Sequence, residues 1–227
     1  LFGACSTMAE GLALGAALCE GGAARNLLAM ASSHFCAAER QFRTPLSYGA
    51  VRTPTAQWTA TAAGCCLLQP QGEGVGIAAA TFGRVQDYQV KDINNMGAAM
   101  APAAASTLLH YFKDTGTEPQ EFDCIYTGDL GQVGSQLLRE LLAAEGLLIK
   151  NHVDCGCILF DANEQSVKSG GSGPGCCAAV LCGHILPRLR RGSQKRVLFT
   201  ATGALMSQTT FLQKETIPAV AHLVELR

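Results

Sequence analysis

Cys5 is the residue of this sequence best placed to carry out chemistry. It lies in the run FGACST, where an apolar segment passes directly into a helix predicted to be capped by Ser6 or Thr7. The unpaired N–H groups and the partial positive charge of a helix N-terminus favour an anion or a thiolate. Cys5 is therefore a candidate nucleophile or ligand contact, although from its position alone a small filler of the core is favoured, because structural cysteines outnumber reactive ones.

A second stretch of the chain has the same design. The glycine run SGGSGPG at residues 169–175 leads into a helix of small residues predicted from about Cys176 to Arg190. Gly171, Ser172 and Gly173 are candidate ligand contacts, because glycine lets backbone N–H groups approach an anion closely. The repetition of one design at two places indicates an internally duplicated fold.

Three further polar residues follow predicted strands. His34 is equally compatible with contact to a ligand carboxylate and with a structural role beside the loop that follows it. Asp129 lies at the C-terminal end of a strand, where the sites of α/β proteins gather. It is predicted to cap the helix that begins near Gln132, with a calcium bridge to a carboxylate ligand as the alternative. Thr202 is a candidate by its position alone.

The elements that must position these residues are typical of an α/β protein, because short apolar runs alternate with helical patterns. Predicted strands cover residues 26–33, 57–68, 75–85, 123–127, 155–160, 196–201 and 217–226. Predicted helices cover about 6–19, 96–112, 132–145 and 176–190. The turn from Pro70 to Gly74 is expected to join two consecutive strands, and Thr202-Gly203 is expected to be a turn.

Composition excludes several classes of function. The 17 basic and 18 acidic residues give a net charge of −1, which argues against a nucleic-acid partner, and the 48% apolar content is enough for a substantial core. No stretch approaches the roughly 20 continuous apolar residues of a membrane span. The 11 cysteines are odd in number and contain no CxxC pair, so the pattern favours reduced, mostly structural thiols and no metal site.

Nine stretches in family order resemble the stage V sporulation protein AD family of the thiolase superfamily, and they cover almost the whole chain. They are FGACST, MASSH, AERQFRTP, MGAAMAPAA, YTGDLGQVGS, DCG, GGSGPGC, ATGALMS and KETIPAVAH. The resemblance implies a five-layer αβαβα fold built from two similar halves, here a fragment that lacks the N-terminal part of the first half. Residues 1–90 would be the remainder of that half, and residues 91–227 the second half.

The resemblance also implies where a site would lie. Cys5 corresponds to the nucleophile at the start of the first central helix, and the glycine loop leads into the second central helix. Acyl-transfer relatives also need a histidine base and a histidine or asparagine that stabilises the oxyanion. The corresponding segments, 127–130 and 170–173, contain neither residue type. The chain is therefore expected not to condense acyl groups, and an acyltransferase that uses Cys5 is the alternative.

The family is instead associated with dipicolinic acid (pyridine-2,6-dicarboxylic acid). The resemblance implies a site for this flat dianion at the two helix N-termini, formed by Cys5, Ser6, His34, Asp129, Gly171, Ser172, Gly173 and Thr202. The small size of Gly171 and Gly173 would make room for the ring. No cofactor is expected, and calcium would enter only as the counter-ion of the ligand.

Partners and location are likewise implied by the resemblance. The protein is expected to be a homodimer, attached peripherally to the cytoplasmic side of the forespore or spore inner membrane by the integral membrane proteins of a dipicolinate channel. Arg40 and Arg43 lie in a polar loop and are expected at the dimer interface. A scaffold whose pocket has lost its function is a third possibility.

Overall fold

The computed structural model describes residues 1–39 and 51–227. Arg40 and Arg43, predicted at an interface, lie outside the described residues. The helices are α1 Thr7–Glu20, α2 Phe35–Glu39, α3 Met96–Thr115, α4 Gly131–Ala144, α5 Cys155–Ile158, α6 Pro174–Val180, α7 Leu186–Arg190 and α8 Gln208–Leu212. The strands are β1 Leu27–Ser33, β2 Trp58–Thr59, β3 Ala62–Leu68, β4 Ile77–Thr81, β5 Cys124–Thr127, β6 His152–Asp154, β7 Gly171–Ser172, β8 Val197–Ala204 and β9 Ala219–Leu226.

The larger sheet has five strands in the order β4-β9-β8-β5-β6. β5 is parallel to both β6 and β8, whereas β9 is antiparallel to β8 and β4. Nearly every residue of β8 and β9 is buried. This sheet is therefore covered on both faces, as continuous apolar runs such as VLFTATGA require.

Two clusters of buried apolar residues cover the two faces of the larger sheet. On one face of the larger sheet, α3 and α4 pack through Leu108 and Leu138 against Leu198 and Leu223. On the other face, α1 and α6 pack through Met8 and through small residues such as Ala9 and Ala178. The same cluster continues to the inner face of a second sheet, in which β1 and β3 pair antiparallel. The described residues thus form four successive layers, helix, sheet, helix and sheet.

The second sheet is buried on one face only. Residues of β1 alternate between buried and exposed, and Leu28, Met30 and Leu67 are exposed on the outer face. An outer helical layer over this face, the fifth layer implied by the resemblance, is not formed by the described residues.

Several element predictions need correction. The strands at 57–68 and 75–85 are not a hairpin, because β3 pairs with β1 whereas β4 pairs with β9 in the other sheet. Residues 155–160 begin as a short helix, and the strand in this region is β6, just before it. Thr202-Gly203 is not a turn but part of β8, where both residues pair with β9. The division at residue 90 stays a prediction, although β4 lies before it and belongs to the larger sheet.

Helix α6 continues without a break into α7. The connecting residues, Leu181–Ile185, form a π-helical turn, and the whole helical segment from Pro174 to Arg190 agrees with the predicted 176–190. π-helical turns insert one extra residue and often mark functional positions. Cys182 lies in this turn.

Candidate functional site

Cys5 lies in a tight turn at the start of α1. Ala4, immediately before it, has a positive φ of 48°, a conformation that a residue with a side chain rarely adopts. Such backbone strain persists only where surrounding contacts hold it in place, and it is common at functional sites. Ser6 stabilises the turn because its buried hydroxyl donates a 2.6 Å hydrogen bond to the carbonyl oxygen of Gly3.

The hydroxyls near this turn do not cap α1. Ser6 Oγ points back to Gly3, and Thr7 Oγ1 donates a 2.7 Å hydrogen bond to the carbonyl oxygen of Ala4. Ser6 lies at the N-cap position of α1, as predicted, but neither hydroxyl forms the capping hydrogen bond, because both act as donors within the turn. Ser6 consequently supports the position of Cys5 rather than presenting its own hydroxyl at the site.

Asp129 is the centre of the polar site, and its side chain is fully buried. Its Oδ2 accepts 2.9 Å hydrogen bonds from Ser172 Oγ and from the backbone N–H of Gly173. Its Oδ1 accepts a 3.0 Å hydrogen bond from Thr202 Oγ1. Burial raises the pKa of Asp129 above its ordinary value, although these donors partly oppose the rise.

The Cys5 thiol lies near the Asp129 carboxyl group, and each influences the pKa of the other. Burial, and then the negative charge of Asp129, raise the pKa of the thiol well above its ordinary value. The N–H of Gly173 opposes this rise without cancelling it. The thiol is therefore protonated at neutral pH. Cys5, Asp129, Ser172, Gly173 and Thr202 are called the Asp129 cluster below.

The two helix N-termini meet at this cluster. Cys177, in the first turn of α6, donates from Sγ to the carbonyl oxygen of Cys5 over 3.5 Å. Gly203 of β8 packs so closely against the turn that a Cβ atom there would overlap the carbonyl oxygen of Gly3. Cys5 and Ser172 are the half-buried side chains of the cluster, whereas Asp129 and Thr202 are inaccessible. A ligand would therefore approach from the side of Cys5 and Ser172.

The predicted role of Asp129 as the cap of α4 is wrong. The cap of α4 is Asp154, whose carboxylate accepts 2.9 Å hydrogen bonds from the backbone N–H groups of Leu130 and Gly131. The carboxylate of Asp129 instead accepts a hydrogen bond from the backbone N–H of Gly173, at the start of α6. Burial, the largest influence, raises the pKa of Asp154 to about 6, although a hydrogen bond from Thr127 Oγ1 opposes the rise.

The space beside the two glycines is occupied. In the direction that a side chain would take, Gly171 faces Phe160 and Cys176, and Gly173 faces Ser33 and Thr59. The expectation that their small size leaves room for a ligand ring is therefore wrong. At Gly173 a φ of 98° independently requires glycine.

The other predicted site residue lies apart from the cluster. His34 is exposed directly after β1, and its carbonyl oxygen accepts from the backbone N–H of Ala38. Its neighbour Ser33 is closer to the site, because Ser33 Oγ accepts a 3.0 Å hydrogen bond from the N–H of Gly175. Since Asp129 also accepts a hydrogen bond from the N–H of Gly173, the first N–H groups of α6 have partners within the protein.

Three residues of the site were not predicted from the sequence: Gln57, Ser33 and Asp154. The Nε2 atom of Gln57 donates to the carbonyl oxygens of Asp129 and Gly171, at 2.6 and 3.0 Å. Its Oε1 atom is buried without a hydrogen-bond partner. Gln57 thus joins the two loops of the site, but its place before a short strand gives no signal of this. For Asp154, the run DCG beside a predicted strand was such a signal.

The arrangement of sheets and central helices defines a protein of the thiolase-like fold. A 3-oxoacyl-(acyl carrier protein) synthase III from Aquifex aeolicus has a TM-score of 0.55 at 14% identity, over 99% of this chain and 65% of that one. OleA from Xanthomonas campestris, bound with cerulenin, has a TM-score of 0.55 at 12% identity, over 97% of this chain and 61% of that one. These likenesses confirm the predicted fold.

Sequence comparison assigns the chain to one family within this fold. The family model for stage V sporulation protein AD matches residues 1–227. Stage V sporulation protein AD of Bacillus subtilis (strain 168) is 44% identical over 223 residues, which are 98% of this chain and 66% of that protein. The chain belongs to the stage V sporulation protein AD family, as its motifs predict, and spans about two thirds of the length of this relative.

Proposed function

We propose that this sporulation protein binds dipicolinic acid at the Asp129 cluster without acyl transfer, and so supports movement of the acid into and out of the spore core. The observation that carries the proposal is the protonated Cys5 thiol beside a buried carboxyl group. Acyl transfer to cysteine requires a thiolate, which a neighbouring basic group normally generates. Here the nearest ionisable partner is acidic, so it opposes formation of the thiolate.

A dianion can approach Asp129 only if the two do not repel each other. Since burial already raises the pKa of Asp129, uptake of one proton on ligand binding removes the repulsion at modest cost. The neutral carboxyl group stays buried and no longer repels a ligand carboxylate that approaches from the side of Cys5 and Ser172. Ser172 Oγ and the Cys5 thiol, the half-buried donors of the cluster, can turn toward the same ligand.

The role at the membrane is part of the same proposal. The protein would act as a homodimer on the cytoplasmic side of the spore inner membrane, recruited by integral membrane partners of the dipicolinate channel. Among the residues that the structure describes, no helix has the length and apolar character needed to cross a bilayer. Calcium would accompany the ligand as its counter-ion.

An acyltransferase that uses Cys5 is the second candidate. It is favoured by the strained turn at Ala4, which holds the cysteine at the start of a helix as a nucleophile would be held. The structural neighbours named above include a synthase, but at this level of identity they support the fold alone. The protonated state of Cys5 argues against this candidate.

Calorimetric titration of the purified protein with dipicolinic acid tests the proposal. Wild type is compared with Ser172→Ala, and with Ser193→Ala as an exposed control. Benzoic and isophthalic acids test whether both carboxylates and the ring nitrogen are needed. We expect saturable binding of dipicolinic acid, weakened about fivefold by Ser172→Ala because one hydrogen bond is lost, and unchanged in the control. Absence of binding by the folded protein would reject the proposal.

A further inference from the structure

Cys66 and Cys182 form a close pair of thiols away from the Asp129 cluster. Cys66 lies on β3 and Cys182 in the π-helical turn that follows α6, 116 residues later in the chain. Their Sγ atoms are 3.8 Å apart. Cys182 Sγ is also 3.6 Å from the carbonyl oxygen of Cys65. Both side chains are half-buried, so solvent-borne reagents can reach the pair.

The two thiols have opposite acidities. The hydrogen bond from Cys66, the largest influence, lowers the pKa of Cys182, and the positive charge of Arg190 acts in the same direction. The pKa of Cys66 is raised by the same hydrogen bond and by burial. The pair therefore carries its negative charge on Cys182, and Cys66 holds the proton. A thiolate beside a second thiol is the arrangement of a redox-active pair.

We propose that Cys66 and Cys182 are a site of reversible oxidation by peroxides, which joins β3 to the helical segment 174–190 through a disulfide. The Cys182 thiolate attacks one oxygen of hydrogen peroxide, the O–O bond breaks, and the departing hydroxide takes up a proton to leave as water. The Cys66 thiol then attacks the resulting sulfenic acid, an S–S bond forms, and a second water leaves. Sulfur is oxidised by two electrons, and peroxide is reduced.

Local packing allows the sulfur atoms to close the remaining distance. A disulfide needs about 2.05 Å between sulfur atoms, so the two must approach by less than 2 Å, which is within reach of side-chain rotation. The helix has room at this point, since nothing lies within 4 Å of the position that a Cβ atom of Gly183 would take. Cys65, although exposed, points to the opposite face of β3 and cannot replace Cys66.

The cysteines of the core provide a contrast. Cys155, Cys176 and Cys177 are fully buried, and burial raises the pKa of each thiol strongly. These three thiols are inert because reagents cannot reach them and because they stay protonated. Reaction with peroxide is therefore expected to select the Cys66–Cys182 pair rather than the most cysteine-rich part of the sequence.

Peptide mapping of the purified, reduced protein after treatment with equimolar hydrogen peroxide tests the inference. Trypsin places Cys66 in the peptide 53–84 and Cys182 in the peptide 169–188. We expect these peptides to be joined under non-reducing conditions, at a mass two hydrogen atoms below their sum, and released by dithiothreitol. The crosslink should disappear in Cys66→Ser and in Cys182→Ser and persist in Cys65→Ser and Cys177→Ser.

Two outcomes of the peptide mapping can reject the inference. Oxidation of Cys182 to sulfinic acid without a crosslink, or a crosslink that survives Cys182→Ser, would overturn it. Competition with iodoacetamide at neutral pH gives a second readout that does not depend on a variant. Cys182 should be alkylated at least tenfold faster than Cys5, and its alkylation should prevent the crosslink. Equal rates at the two cysteines would contradict the proposed thiolate.

Discussion

The carboxylate of Asp129 accepts a 2.9 Å hydrogen bond from the backbone N–H of Gly173, the residue that precedes α6. A helix N-terminus is a common seat for an anion, and here a side chain of the protein itself occupies it. The site is therefore not an open positive pocket. Under the proposed function, an external carboxylate would share the cluster with Asp129, and the protonation state of this residue would control ligand binding.

Replacement of Asp129 should destabilise the protein. In Asp129→Ala the hydroxyl of Thr202 and the N–H of Gly173 lose their acceptor in a buried place, so we expect the free energy of unfolding to fall by about 3 kcal/mol. Urea denaturation measures the change, with the exposed Asp114→Ala as the matched control. A loss no larger than that of the control would contradict the hydrogen-bonding scheme.

Glu225 should contribute stability that is lost in acid. Burial acts to raise its pKa, but hydrogen bonds from Arg196, Tyr111 and Arg227 outweigh burial and lower the pKa to about 2. Because the folded state then binds the proton less tightly than the unfolded state, this stability is present above pH 4.5 and is lost as the pH falls toward 2.

The expected contribution of Glu225 to the free energy of unfolding is about 3 kcal/mol, because folding lowers its pKa from 4.5 to about 2. Glu225→Gln should remove this part of the pH dependence, whereas the exposed Glu164→Gln should keep it. Urea denaturation at a series of pH values between about 2 and 6 measures both. Parallel curves of unfolding free energy against pH for wild type and Glu225→Gln would show that the ion pairs of Glu225 do not stabilise the folded state above pH 4.5.

Gly203→Ala should disturb the Cys5 turn. The added methyl group would overlap the carbonyl oxygen of Gly3 on the facing segment, and both are backbone positions that cannot move independently. We expect a loss of about 2 kcal/mol in the free energy of unfolding, together with weakened ligand binding. Gly72→Ala, where nothing lies within 4 Å, is the control. Equal stability of the two variants would contradict the packing of β8 on this turn.

Cys5 should not accept an acyl group. Incubation with acetyl-CoA at neutral pH, followed by intact-mass measurement, is expected to show no adduct, because burial and Asp129 keep the thiol protonated. Cys5→Ala identifies the position of any adduct that forms. An adduct that is present in wild type and absent in this variant would favour the acyltransferase candidate.

Long, periodic elements were predictable from the sequence. Helix α3 covers Met96–Thr115 against a predicted 96–112, and α4 covers Gly131–Ala144 against a predicted 132–145. In each case the pattern of apolar residues directly reflects the face that packs on the sheet. Strand pairing was less accessible, since β4 crosses to the larger sheet and no local signal distinguishes this from a hairpin.

The polar site was predictable only in part of its membership and not in its geometry. Sequence and resemblance selected Cys5, Asp129, Ser172, Gly173 and Thr202, which the structure places together. They did not reveal that Asp154 caps α4 while Asp129 accepts from Gly173 at the start of α6, because each aspartate precedes a helix and only tertiary packing chooses the partner. The role of each carboxylate therefore required the three-dimensional arrangement.

The pH dependence of dipicolinic acid binding to wild type and Asp129→Asn is the most direct test of the proposed site. Both ligand carboxyl groups are ionised between about pH 6 and 8, so any change in this range reports on the protein. Wild type is expected to bind more weakly as the pH rises, by up to tenfold per unit, because less Asp129 is protonated. Asp129→Asn should bind with little pH dependence. No binding by the folded protein, or an unchanged pH dependence in Asp129→Asn, would contradict the account.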